Sequence, residues 1–250
     1  ERNTADLHNF LMCLLLAVAV HAVSILLAKI CLRGKDATCG ILQFGTVFSN
    51  CGFMGYPLML ALLGSIGVFY GSAYVVVFTV LSWTAGIYMI THDAGNLQVK
   101  HILLNPGVLS VVVAMVLYLL AVRLPEIVMT PLNYLANMNT PLPTIVVGYQ
   151  LSHANFSTAF SDRRSWLALA LRLAVVPLVT IGLCWVFRVD SAVALVTVIA
   201  ASTPPAALLS MFAQKFESDT KLASSVVSVF TAISVVTIPL VVGLAQHLMG

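Results

Sequence analysis

Long apolar runs separated by short polar loops dominate this sequence. A helix that spans a bilayer needs roughly 20 mainly apolar residues, and eight segments meet that length. We call them spans A to H, and their predicted ranges are 8–31, 39–63, 66–91, 105 to about 123, 127–151, 165–187, 191–213 and 222–248. The pattern therefore predicts an all-α polytopic membrane protein.

Two of these spans are interrupted near their middle. Span B contains the stretch 49–57, which reads Ser-Asn-Cys-Gly-Phe-Met-Gly-Tyr-Pro, and span G contains Ser-Thr-Pro-Pro at 202–205. Proline removes a backbone donor and clashes with the preceding turn of a helix. Freed backbone groups in a membrane are tolerated only where protein or a water-filled cavity satisfies them. Each break is therefore a candidate binding site, although prolines that only kink a helix are the alternative.

A short repeat relates the two broken spans to each other. Val-Phe-Thr-Val-Leu-Ser at 77–82 in span C matches Val-Phe-Thr-Ala-Ile-Ser at 229–234 in span H, and each follows a broken span. Spans A to C thus correspond to spans F to H. Spans D and E precede F, so the second repeat, 101–250, has five members, and an odd number inverts its orientation. The first repeat, 1–100, shows three, which predicts a chain that lacks two N-terminal spans.

Composition agrees with a membrane protein and narrows its partners. Sixty per cent of the residues are apolar, 8% are charged and the mean hydropathy is +1.01, whereas an ordinary soluble domain carries about 25% charged residues. The formal charge of +3 is spread over short loops, so we expect a lipid bilayer and no nucleic acid as a partner. The five cysteines form no CxxC pair and no metal-ligand spacing with histidine. We predict neither a metal nor a cofactor.

The loop charges predict the orientation, because lysine and arginine are enriched in short cytoplasmic loops. The loops after spans A, C, E and G carry eight of these residues and the opposite loops carry three. The eight are Lys29, Arg33, Lys35, Lys100, Arg163, Arg164, Lys215 and Lys221, and the three are Arg2, Arg123 and Arg188. This distribution places the first set in the cytoplasm and the C-terminus outside.

The two breaks also supply the chemistry of the candidate site. A helix that restarts after each break carries roughly +0.5 of an elementary charge at its N-terminus, and we expect Ser202 or Thr203 to be an N-cap. Asn50 adds two side-chain donors, and neither broken span contains Asp or Glu. This arrangement favours an anion such as a carboxylate. The predicted substrate-binding residues are Asn50, Cys51, Gly52, Gly55, Pro57, Thr140, Ser202, Thr203, Pro204 and Pro205.

Other polar residues inside the spans receive structural interpretations. Arg172 lies about two turns into span F, and we expect its long side chain to reach the headgroups rather than bind a ligand. His21 in span A is expected to be a hydrogen-bonded packing residue rather than a proton relay. Gly67 and Gly71 form a GxxxG pair, which indicates close helix contact. There is no P-loop, HExxH or nucleophile elbow, so the sequence does not predict an enzyme.

The stretch 49–57 resembles the first crossover motif of the auxin efflux carrier family, which includes plant auxin exporters and bacterial malate or malonate permeases. The Asn-Pro pair that opens span D, Gly148 near the end of span E and the Pro-Pro pair of span G extend the resemblance over essentially the whole chain. It implies ten helices in two inverted five-helix repeats with crossed broken helices, similar to bile-acid symporters. It assigns 1–95 with 160–250 to a transport domain and 102–155 to part of a scaffold domain.

The resemblance also implies roles for individual residues. In the plant exporters, the asparagine that matches Asn50 lies beside the bound carboxylate, and the prolines that match Pro57 and Pro205 mark the crossing. In the related symporters a glutamate of the second broken helix helps to bind sodium. Spans B and G contain no such carboxylate, so the resemblance does not carry sodium coupling over to this chain.

The leading hypothesis is a permease, a secondary carrier that moves small organic anions across the plasma or inner membrane by alternating access. A sodium-coupled organic-anion symporter of the same fold and a non-transporting membrane receptor or sensor are the alternatives. The sequence leaves open the substrate, the coupling ion, the direction of transport and whether two copies form a homodimer.

Overall fold

The computed structural model describes residues 4–93, 95, 104, 106–138, 141–152 and 155–249, and the regular elements of that part of the chain are helices. In chain order they are α1 (Thr4–Cys31), α2 (Ala37–Val47), α3 (Cys51–Leu63), α4 (Ser65–Thr91), α5 (Pro106–Leu119), α6 (Glu126–Asn137), α7 (Pro141–Ser152), α8 (Phe156–Ala159), α9 (Arg164–Phe187), α10 (Ser191–Ser202), α11 (Leu208–Lys215) and α12 (Thr220–Met249). The all-α prediction is confirmed.

The helices follow the predicted spans closely. Within the described residues, four helices are long and apolar enough to cross a membrane, namely α1, α4, α9 and α12, and these are spans A, C, F and H. Span B is divided into α2 and α3, and span G into α10 and α11, as predicted. In span B, however, the helix restarts at Cys51, before Pro57 and not after it. Span D is α5, and span E is divided into α6 and α7.

Two apolar clusters lie on either side of the breaks. One joins α2 and the end of α4 to α9, α11 and α12, and in it the ring of Phe44 packs at a tilt against Phe48 and edge-to-face against Phe212. The other joins α1, α3, α4, α10 and α12, and it contains Met59 and Tyr74. Because Phe48 belongs to the first cluster and the nearby Cys51 to the second, the first break lies at their junction.

The GxxxG pair marks a close contact between α3 and α4, as predicted. A Cβ added to Gly67 would lie 2.7 Å from the carbonyl oxygen of Met59, and one added to Gly71 would overlap the Met59 sulfur. The turn between the two helices needs a glycine as well, because Gly64 has a φ of +68°. These glycines hold α3 firmly against α4.

Helices α5 to α7 lie at the outside of this bundle. Helix α5 contacts α4, α7 contacts α12, and α6 has no buried residue. Many of their large apolar side chains are exposed, with Ile127 the extreme at 83%, as expected for a surface that faces lipid. The assignment of 102–155 to a scaffold domain, like the inverted repeat, stays a prediction.

Three of the described helices contain a π turn. These are Cys51–Gly55 at the start of α3, Ser82–Gly86 in α4 and Leu171–Val175 in α9. A π turn inserts one extra residue and rotates the side chains that follow, and such turns are frequent at functional sites. One of the three begins directly after the first break and another contains Arg172, so two of them shape the candidate site.

Candidate functional site

The first break is a short extended segment followed by a π turn. Helix α2 ends at Val47, and Phe48 has extended backbone angles of φ −99° and ψ 108°. The carbonyl of Asn50 then accepts two N–H groups from the turn Cys51–Gly55, at 3.0 and 3.3 Å. Pro57 is the second residue of the α-helical part of α3, directly after the π turn.

The second break differs from the prediction at its capping residues. Ser202 donates its hydroxyl to the carbonyl of Val198 at 2.6 Å, and Thr203 donates to that of Ala200 at 3.0 Å. Both hydroxyls therefore bond back into α10, and the N-cap of α11 is Ala207, which has no side-chain acceptor. The prediction that Ser202 or Thr203 caps the second helix is wrong, because the chain remains non-helical for several residues after the two prolines.

The two extended segments pair with each other. The N–H of Asn50 donates to the carbonyl of Pro204 at 2.7 Å, and the N–H of Ala206 donates to the carbonyl of Phe48 at 2.9 Å. The residues between these bonds, one on each segment, form an isolated antiparallel bridge. Backbone groups that the breaks release are thus satisfied by the opposite break, as a membrane interior requires. We call this paired region the crossing.

Arg172 lies at the crossing and not at the membrane surface. It is fully buried in the π turn Leu171–Val175 of α9. Its guanidinium donates to the carbonyls of Thr46 at 3.1 Å and Val47 at 3.2 Å, and also to that of Ala201. The expectation that its side chain reaches the headgroups is therefore wrong. A lone cation in an otherwise uncharged span was the sequence signal for this role, because ionisable residues inside membranes are usually functional.

Several buried polar groups of the site residues have no hydrogen-bond partner among the described residues. They include the side-chain amide nitrogen of Asn50, Nε2 of His21 and Nε of Arg172 itself. Nδ1 of His21 lies 2.7 Å from a backbone carbonyl of its own helix, and its ring centroid lies 5.1 Å from that of Tyr74. The packing interpretation of His21 agrees with these contacts. Asn50 is 5% exposed, so its amide is an unused donor inside the protein.

A cavity of about 320 Å³ opens beside the start of α3. It lies between α3, α7 and α12, and residues that line it are Phe53, Met54, Pro57, Thr144, Ser234 and Ile238. A Cβ added to Gly52 would meet no atom within 4 Å, so the first turn of α3 also has open space beside it. The cavity is apolar except for hydroxyl-bearing side chains.

The structure brings most of the predicted site residues together. A Cβ on Gly55 would lie 3.7 Å from the Cβ of Cys51 and 4.0 Å from a methyl group of Thr203, so the two broken spans touch there. Pro204 takes part in the pairing of the crossing, and Pro205 forms its bridge with Ser49. Thr140 lies outside the described residues, and Thr144, four residues later in the sequence, lines the cavity.

A second arginine of α9 forms a cluster at the protein surface. Arg164 donates to both carboxylate oxygens of Asp36, at 2.9 and 2.7 Å, and to Asp162 at 3.0 and 2.7 Å. The hydrogen bonds from Arg164 lower the pKa of Asp36 to about 2 and also lower the pKa of Asp162. The side chains are 30 to 50% exposed. This cluster ties the loop after α1 to the start of α9.

Comparison with known proteins identifies similar chains. The profile of a family described as "Membrane transport protein" matches residues 1–242. A protein of Methanothermobacter thermautotrophicus named "Uncharacterized transporter" is 30% identical over 215 residues, which are 83% of this chain and 69% of that protein. The "Uncharacterized transporter MJ1031" of Methanocaldococcus jannaschii is 25% identical over 242 residues, 92% of this chain and 75% of its own length.

Proposed function

This chain belongs to the membrane transport protein family that includes the auxin efflux carriers, and on that premise we propose that it is a secondary carrier for small organic anions. The family makes it a multi-pass membrane transporter and not an enzyme. The proposal adds a substrate class, a carboxylate bound at the crossing, and a mechanism of alternating access. It also adds an orientation, with the C-terminus outside a plasma or inner membrane.

The buried amide of Asn50 at the start of α3 is the observation that carries the proposal. Its side-chain nitrogen is an unused donor, and burying a polar group without a partner is costly. The first N–H groups of a helix also lack intrahelical partners, and they favour negative charge. Asn50 directly precedes that first turn of α3. A carboxylate group offers the acceptors that this set of donors requires.

The cavity next to α3 supports the choice of an organic anion. Its walls are largely apolar, so it suits the body of a small carboxylate better than it suits a fully hydrated inorganic ion. The open space beside Gly52 gives a ligand access to the first turn of α3. Neither broken span contains Asp or Glu, so nothing acidic in those spans would repel the anion.

The position of the cavity also supports alternating access. One wall belongs to α3 and α12, which lie in the predicted transport domain, and the other belongs to α7 of the predicted scaffold. A ligand at such a boundary changes its exposure when one unit moves against the other, which is the usual arrangement in secondary transporters. The pairing at the crossing lets the broken spans move together.

Replacing Asn50 tests the substrate class. Asn50→Ala removes the donor, and we expect it to weaken carboxylate binding by about 1–3 kcal/mol, the order of magnitude for losing a buried hydrogen bond. Asn50→Asp should weaken binding further, because it keeps the shape and adds a negative charge. Binding is measured on the purified protein by thermal shift and calorimetry against mono- and dicarboxylates, and transport is measured as uptake into proteoliposomes.

Asn155→Ser is the matched control. Asn155 caps the short helix α8 through its side chain, and serine keeps that acceptor, so this variant also loses an amide but should bind like the wild type. Unchanged carboxylate affinity in Asn50→Ala would contradict the proposed site. Binding without any flux would instead indicate a receptor of the same fold.

A further inference from the structure

Arg172 carries a buried charge that no carboxylate balances in the described part of the chain. Its hydrogen-bond partners are backbone carbonyls, and the described side chains that interact with it electrostatically, Tyr74, Cys51 and His21, include no carboxylate. An isolated buried charge is expensive. Some other source of negative potential must therefore compensate for this guanidinium.

The carbonyls that Arg172 binds belong to the C-terminal ends of two helices. Thr46 and Val47 are the last residues of α2, and Ala201 is next to the last residue of α10. The last carbonyls of a helix have no intrahelical donor, and each C-terminus carries roughly −0.5 of an elementary charge. Two such ends provide about one negative charge, which matches the single positive charge of Arg172.

We infer that Arg172 is the fixed counter-cation of the crossing. Its planar fork of donors reaches both helix ends at once, so it joins α2 and α10 and neutralises them without an inorganic cation bound at that place. Transport would then need no sodium or potassium to hold the crossing together. This inference goes beyond the proposed substrate, because it concerns the C-terminal ends of the two broken spans and not the site at α3.

Removing the guanidinium should make the thermal stability of the protein depend on added cations. Arg172→Ala leaves both helix C-termini without a donor and leaves room for a small cation. In choline chloride we expect its thermal unfolding midpoint to lie about 6–12 °C below that of the wild type. Millimolar guanidinium or sodium, at constant ionic strength, should restore part of that loss. The wild type should unfold at the same temperature in choline and in sodium.

Two further variants make the result decisive. Arg172→Lys keeps the charge but not the planar fork, so it should lose clearly less stability than Arg172→Ala and show no response to cations. Arg164→Ala, the surface control on the same helix, should show neither a large loss nor a cation response. Purification of Arg172→Lys but not of Arg172→Ala would also support the inference. Any one of four results would overturn the inference. The wild type could unfold at a temperature that depends on sodium, or Arg172→Ala could unfold at the temperature of the wild type. The loss in Arg172→Ala could fail to respond to any cation, or the lysine and alanine variants could lose equal stability.

These measurements contain no carboxylate, so they separate this inference from the proposed function. If the substrate class is wrong, carboxylates will not bind while the cation responses of the Arg172 variants stay as expected. If Arg172 is not a counter-cation, the cation responses will fail while carboxylate binding and its dependence on Asn50 remain.

Discussion

Helix α9 carries two arginines in opposite surroundings. Arg164, in its first turn, is partly exposed and binds the carboxylates of Asp36 and Asp162. Arg172, about two turns further along, is fully buried and binds backbone carbonyls. The partners of Arg164 carry full negative charges, but water screens their attraction. The partners of Arg172 carry only partial negative charges, but they lie in a medium of low dielectric constant, where the attraction is stronger. The exposure to solvent, more than the formal charge of the partner, therefore decides how much an arginine contributes to stability.

The largest expected difference between the two arginines is in stability. Arg172→Met leaves three buried carbonyls without their donor and should lower the free energy of unfolding by about 3–5 kcal/mol, as when one partner of a buried ion pair is removed. Arg164→Met should lower it by no more than about 1 kcal/mol. Denaturant unfolding of both variants measures the two values. Equal losses would mean that the burial of Arg172 does not set its contribution.

A smaller effect concerns salt. A double-mutant cycle with Arg164→Met and Asp36→Asn should give a coupling of about 0.2–1 kcal/mol at low ionic strength. That coupling should nearly vanish at 1 M KCl, because the screening length falls to about 3 Å. The loss in Arg172→Met should stay constant over the same range, since salt does not enter its buried surroundings. If the coupling at Arg164 persisted in high salt, the two arginines would not differ in their exposure to screening by ions.

The smallest expected effect is the acid response of the surface cluster. The pKa of Asp36 is lowered from its ordinary 3.8 to about 2, so its ion pair stabilises the fold above pH 3.8 and this contribution disappears as the pH falls towards 2. The side chain is half exposed, so the stabilisation is slight. The difference in melting temperature between the wild type and Asp36→Asn should therefore shrink between pH 5 and pH 2.5. A constant difference would show that Arg164 does not hold the carboxylate.

Much of the fold follows from the sequence because lipid permits few alternatives. Helices and closed barrels are the only structures that satisfy their backbone in a bilayer, so apolar length alone predicted α1, α4, α9 and α12. The break in span G was predictable for the same reason, since proline cannot continue the hydrogen-bond ladder. Span B is broken before Cys51, whereas Pro57 lies inside α3, so there the sequence predicted the break but not its exact place. These features depend on residues that are close together in the sequence, so the sequence alone can predict them.

The details of the site depend on contacts between distant residues. The delayed start of α11 at Leu208 comes from the pairing of the crossing, and the preferences of Ser202 and Thr203 for capping were overridden by carbonyls of α10. The burial of Arg172 depends on the π turn in α9 and on where α2 and α10 end. A cationic side chain two turns inside a span can extend to the membrane surface or stay in the protein interior. Which of the two occurs depends on the neighbouring helices.

The crossing has a consequence for the order in which the protein folds. Arg172 lies 126 residues after Thr46, and the segment that pairs with the first break lies later still. When α2 and α3 enter the membrane during synthesis, the backbone groups of their break thus have no permanent partners. Contacts this distant in sequence form slowly. The backbone groups of the first break must therefore stay hydrated, or be shielded by another protein, until α9 and α10 have been inserted. During this interval the nascent chain is exposed to misfolding and proteolysis.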